Sequence, residues 1–244
     1  MKLEKIVSWL DKTLNVAAFD DVSNNGLQVG REDKRRETRD ARDRTRDARR
    51  EKGIGCVAFA VDASVRAVAA AVAAGAELLV VHHGISWGGG IKRLEGGVYN
   101  VVKAAMDANL AIYACHLPLD AHPTLGNNAQ LAKWFGLKNV CPAFTYHGNV
   151  IGLVGTRGNE KIGVCSGGAG EFAEEAKRLG CDRYITGEAS WGDVIAAENC
   201  GMRMECLGHY ETEVWGVRAV SAAMKKALKV KTVDLTEQLR RTES

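Results

Sequence analysis

Two stretches of this chain repeat one another without a gap. Asp62-Ala-Ser64 matches Glu188-Ala-Ser190. Gly75 lies 13 residues after Asp62, and Gly201 lies 13 after Glu188. His83 lies 21 residues after Asp62, and His209 lies 21 after Glu188. Between these points Val68 matches Val194, and Ala70-Ala71 match Ala196-Ala197. Each copy reads strand, acid, helix, glycine, strand, histidine. Two such units packed face to face would bring His83 and His209 together. A site built from both copies can hold two ions.

The first copy ends in Glu77-Leu-Leu-Val-Val-His-His-Gly84. Four apolar residues without a polar break read as a buried strand of a parallel sheet. His82 and His83 then fall at the strand's carboxyl end, where sites form in open α/β sheets. Neighbouring residues there point to opposite sides, so two imidazoles suit two ions better than one. The plainer alternative is one histidine capping a carbonyl and the other in solvent.

At 244 residues the chain has room for one large or two small domains. A hydrophobic fraction of 46% supports a normal core, and 27 glycines suit many tight strand–helix turns. A net charge of +3 is too small to imply a nucleic-acid partner by itself. The 7 cysteines form no C-x-x-C pair, which favours reduced thiols. With neither a secretory signal nor a long uncharged apolar run, the sequence predicts a soluble cytoplasmic protein without membrane contact.

Residues 2–14 place Leu3, Ile6, Val7, Leu10 and Leu14 on one helical face. Residues 31–52 hold 11 Lys and Arg against 7 Asp and Glu, with Ala41 and Ala48 as the apolar residues. This run cannot supply a core face and reads as a solvated insert. The competing reading, a basic arm for nucleic acid, is opposed by its interleaved acids and lack of aromatics. The globular pattern resumes with a strand at 57–61, a helix at 65–74 capped by Ser64, a helix near 97–108 and a strand at 111–115. Further on come a helix at 127–135, strands at 151–154 and 161–165, and a helix at 171–179. The strand 184–188, the helix 190–199, a strand at 202–207, a helix near 213–228 and a strand at 230–235 complete the chain. The division expected is a first α/β domain over 1–125, with its insert at 31–52, completed by 209–244. Residues 126–208 form the second. Ser166-Gly-Gly-Ala-Gly170 opens a helix, where backbone N–H groups can face a phosphate. A plain tight turn fits as well.

His82, His83, Asp120, His209 and Glu213 all sit at strand ends or just beyond. His209 and Glu213 are four apart, which suits one helical face if that helix starts early. Imidazoles with carboxylates fit Zn, Fe, Mn or Ni. The bland roles are a helix-start acid for Glu213 and a turn residue for Asp120.

These same residues carry a resemblance. Asn25-Gly-Leu-Gln-Val-Gly30, His82-His83-Gly84, His116-Leu-Pro-Leu-Asp120, Ile185-Thr-Gly-Glu188 and Gly208-His-Tyr-Glu-Thr-Glu213 together resemble the NGG-interacting-factor-three-like family. That family is also catalogued as GTP cyclohydrolase I type 2 homologues. The resemblance covers nearly the whole chain. It implies two related α/β domains with a dinuclear metal centre between them, and a ring-shaped homohexamer built from dimers. It implies metal ligands at His82, His83, Asp120, His209 and Glu213, with Glu213 bridging. Asp62, His116 and Glu188 would be outer-sphere or substrate-facing groups. The charged run 31–52 departs from the family, which connects this point briefly.

Two functions follow as expectations. One is a metal-dependent hydrolase acting on a phosphoester or a nucleotide, with Glu188 or His116 shuttling the proton. The other is a non-catalytic metal-carrying protein that binds nucleic acid or a partner protein through its ring. Nothing in the residues themselves selects GTP.

Overall fold

A computed structural model of the chain describes residues 1–30 and 53–240. The charged run 31–52 lies outside the described residues. Among the described residues, ten strands form two five-stranded sheets. In chain order they are β1 (Gly26–Val29), β2 (Cys56–Asp62), β3 (Leu78–His83), β4 (Ala111–Ala114), β5 (Lys138–Tyr146), β6 (Asn149–Arg157), β7 (Glu160–Gly168), β8 (Arg183–Glu188), β9 (Arg203–Cys206) and β10 (Lys231–Asp234). The first sheet has the order β1-β4-β3-β2-β10 and the second β5-β6-β7-β8-β9. The last strand thus returns to the first sheet, beside β2.

The unbroken apolar runs of the first sheet have a direct cause. Alternate residues feed two separate cores. Val57, Phe59, Leu78, Val80 and Tyr113 enter one, and Ala58, Ala60, Leu79, Val81 and Ile112 enter the other. The helices Leu3–Leu14 and His209–Leu228 cover the first face through Ile6, Leu10, Val217 and Met224. Val65–Ala73 and Gly96–Asp107 cover the second through Val68, Ala71, Val101 and Ala105. Each fully buried Val, Leu or Phe contributes roughly 1.5–3 kcal/mol.

Both copies of the repeat fold alike. β2, the helix Val65–Ala73 and β3 form one parallel crossover; β8, the helix Trp191–Asn199 and β9 form the other. Ser64 Oγ accepts the N–H of Ala67 at 3.1 Å, and Ser190 Oγ accepts that of Asp193 at 3.2 Å. Gly75 and Gly201 then turn the chain out of each helix with φ of +74° and +66°, which glycine adopts without steric cost.

β5 and the short helices Leu117–Ala121 and Thr236–Leu239 escape the sequence reading. β5 spans Lys138–Tyr146 with a mostly exposed pattern and Pro142 inside it. It is an edge strand, where a missing N–H is tolerated and no apolar alternation is required. The short helix Leu117–Ala121 carries Pro118 in its first turn, a position that suits proline. The final long helix also begins at His209, earlier than the expected 213. No helix among the described residues is long and apolar enough to cross a membrane.

Candidate metal centre

The long helix His209–Leu228 packs against both sheets, and its second turn carries Glu213 between them. The Glu213 carboxylate is buried, with 3% of the side chain exposed. His82 Nε2 lies 3.4 Å from Glu213 Oε1, and His83 Nε2 lies 3.3 Å from Oε2. His209 Nε2 lies 3.2 Å from Oε1. Asp120 Oδ2 completes the group, 3.4 Å from His82 Nε2. The rings of His83 and His209, one from each copy of the repeat, are 5.5 Å apart. All five residues expected as metal ligands therefore meet in one place.

The outer nitrogen of each imidazole is tied to an oxygen. His82 Nδ1 donates to the Cys115 carbonyl, His83 Nδ1 to Asp62 Oδ1, and His209 Nδ1 to Glu188 Oε2, each at 2.9 Å. His116 Nδ1 donates to Asp21 Oδ1, also at 2.9 Å. These oxygens can only accept, so each Nδ1 carries the hydrogen and each neutral ring has its lone pair on Nε2. That tautomer is the one a metal-ligating histidine needs, and carboxylate or carbonyl partners are what enforce it. The 21-residue offset of the repeat is the sequence trace of two of these pairs.

Two buried atoms in the cluster, His82 Nε2 and Glu213 Oε2, have no hydrogen-bond partner. An unpaired buried polar atom costs about 1–3 kcal/mol, so the arrangement is incomplete as a hydrogen-bond network. The donor set fits a cation instead. Three donor groups each hold their ligand atoms within 4.8 Å of one another: His82–Asp120–Glu213, His83–His209–Glu213 and His82–His83–His116. The first two share Glu213.

Charge leads to the same conclusion. Burial lowers the His82 imidazole's proton affinity, yet the Asp120 and Glu213 carboxylates push its pKa up to about 10. The hydrogen bond to Glu213, helped by Glu188, raises that of His209 to about 9 against the opposing effect of burial. Burial pushes the Glu213 carboxyl up, but His82, His209 and His83 hold it well below the usual carboxylate range. The carboxylates draw positive charge into a buried space, and protons and metal cations compete for it.

Several residues that build the site left no pattern in the sequence. Asp120 Oδ1 accepts from Asn127 Nδ2 at 2.8 Å and from Ser166 Oγ at 3.0 Å, which turns Oδ2 toward His82. Asn128 Oδ1 accepts the N–H of Ser166 at 2.7 Å. Asp21 is more central still. Besides His116 it accepts the N–H of Ser23 at 3.0 Å, the Asn25 amide at 2.8 Å and the N–H of Leu117 at 2.9 Å. The glycine-rich turn serves packing rather than an open anion cradle. The Gly167 N–H is donated to Thr212 Oγ1 at 3.0 Å, and the helix that follows, Ala173–Arg178, is short.

Asp21 also gives a pH test. Burial raises its carboxyl, but His116, Ser23 and Asn25 outweigh that and hold it at about 2. The unfolded value is about 3.9. Its stabilisation is thus full above about pH 4 and disappears as pH falls toward 2, a contribution of roughly 2–3 kcal/mol. Urea midpoints of the wild type and Asp21→Asn should differ at pH 6 and converge toward pH 2. A constant gap would refute the assignment.

The model for the Duf34/NIF3 (NGG1p interacting factor 3) family matches residues 1–160 and 147–239. The chain belongs to the DUF34/NIF3 family. One DUF34/NIF3 relative, from Pyrococcus horikoshii, is 36% identical over 96% of this chain and 97% of its own length. One from Escherichia coli is 32% identical over 91% and 92%. Both are named GTP cyclohydrolase 1 type 2 homolog. Among solved structures, protein ybgI, described as of unknown function, superposes with a TM-score of 0.81 at 27% identity, over 97% of this chain and 98% of that one. A Thermus thermophilus protein superposes with a TM-score of 0.77 at 25% identity, over 100% of both chains.

Proposed function

We propose that this DUF34/NIF3 chain is a hydrolase dependent on two divalent cations, Zn, Fe, Mn or Ni, and that it acts on a nucleotide or another phosphoester. One observation carries the reading. A single buried carboxylate, Glu213, is shared by two donor groups, His82–Asp120 and His83–His209, with unpaired atoms left inside. When bound, such cations supply Lewis acidity, polarising a phosphoryl oxygen and making water a stronger acid. The nucleotide side of the proposal draws on the names of the relatives.

The chain's own residues divide the remaining work. Asp62 and Glu188 hold His83 and His209 in the required tautomer and orientation. His116, whose ring is 5.1 Å from that of His82 and 5.7 Å from that of His83, presents Nε2 beside the cluster and exchanges a proton there. Glu188, whose side chain is 65% exposed, has its second oxygen available for proton transfer with solvent. A cytoplasmic location and a ring-shaped homohexamer belong to the same proposal.

The test is a substrate panel of nucleotides and simple phosphoesters at pH 8, where protons compete less for the nitrogens than at neutral pH. Turnover with added Mn or Zn is expected, with a fall of at least about 100-fold in a folded His83→Ala variant. Absence of turnover with every metal would refute the hydrolase and leave the metal-carrying binding protein as the reading.

A further inference from the structure

The loop after β3 places Trp87 at the edge of the donor cluster. Its ring centroid is 5.1 Å from that of His116, edge-on at 74°, and 6.0 Å from that of His83. The side chain is nonetheless 39% exposed. Leaving a large indole partly in water forfeits hydrophobic stabilisation, and the loop is not free to bury it. Asn24 N–H donates to the Ser86 carbonyl at 3.0 Å, and Gly88 N–H to that of Val22 at 2.6 Å. Asn24 Nδ2 donates to Ser86 Oγ at 2.8 Å, and Ser23 and Trp87 form an antiparallel bridge. The loop is therefore fastened to the segment that also supplies Asp21, which holds His116.

The indole's one polar group is already used. Its Nε1–H donates to the Gly84 carbonyl at 3.0 Å. What Trp87 can offer a ligand is its apolar π-surface, held in a fixed orientation. Around it lie imidazoles and carboxylates, which suit charge and protons. A rigid aromatic surface whose ordering cost has been met before binding suits a flat ring. We infer that Trp87 is the stacking surface for a planar heteroaromatic ring, such as a nucleobase, carried by the molecule that binds at the cluster. The inference deepens the proposed function, naming the part of the substrate recognised beyond its phosphate.

The probes are guanosine 5′-monophosphate and ribose 5-phosphate, which carry the same phosphate and differ in the base. Each is titrated by calorimetry into the Mn-supplemented 244-residue chain, with turnover recorded separately. Wild type is expected to favour the nucleotide by about tenfold or more, within the range of base–aromatic stacking. Trp87→Phe should keep most of that preference and Trp87→Leu should lose it, with ribose 5-phosphate binding and metal content unchanged in both. No preference in wild type, a preference that survives Trp87→Leu, or one that Trp87→Phe fails to keep overturns the inference. Preference without turnover refutes the hydrolase and leaves stacking intact. Turnover without preference does the reverse.

Discussion

Glu213→Gln should abolish metal binding while leaving the chain folded. In the native chain this carboxylate belongs to both donor groups, His82–Asp120–Glu213 and His83–His209–Glu213. Gln removes the negative charge and replaces one acceptor with an N–H₂ group aimed at lone pairs. On the Nε2 side of the histidines the remaining carboxylate would then be Asp120, beside His82. Loss of a partner behind a ligand costs roughly 10–100-fold in metal affinity, and loss of a shared ligand should cost more at both positions. Elemental analysis after gel filtration at pH 8 should read about two ions per wild-type chain and about none in the variant. Thermal unfolding in chelator would show that the variant still folds. Two ions retained by the variant would show that Glu213 is not the shared ligand.

Gly167→Ala is the second large effect, and it reaches the site without replacing a donor. Gly167 has φ of +70°, and a Cβ there would land against Glu213 Oε1 and 3.4 Å from His209 Nε2. A left-handed alanine costs about 1–2 kcal/mol, and the carboxylate must also move from its place between the imidazoles. The expected result is a destabilisation of about 1–3 kcal/mol and a loss of roughly tenfold or more in cation affinity. Gly168→Ala is the control. Its nearest neighbour would be His209 Cε1 at 3.6 Å, an ordinary contact, so folding and affinity should match the wild type. Equal effects at both positions would point to general damage to the turn.

The donors could be read from the sequence because the chain repeats itself. His83 and His209 share a 21-residue offset from Asp62 and Glu188, and the structure turns both offsets into hydrogen bonds of 2.9 Å. Strand ends located His82, His83 and Asp120, and the i,i+4 spacing located Glu213 once the helix began at His209. Asp21, Asn127, Asn128 and Ser166 could not be found that way. They come from a turn, a helix start and a strand interior, and they act on partners up to 96 residues distant. No periodicity marks such contacts; only the folded chain brings them together. β5 was missed for another reason: an exposed edge strand containing Pro142 has neither alternation nor an apolar run to reveal it. Trp87 gave no signal because its significance lies in what it stands beside.

Crystals of the wild-type chain soaked in Mn or Zn, with anomalous data collected at the metal edge, test the central claim most directly. Two peaks are predicted, one within His82–Asp120–Glu213 and one within His83–His209–Glu213. A map with no peak at Glu213, in crystals where the metal has entered elsewhere, would contradict the account.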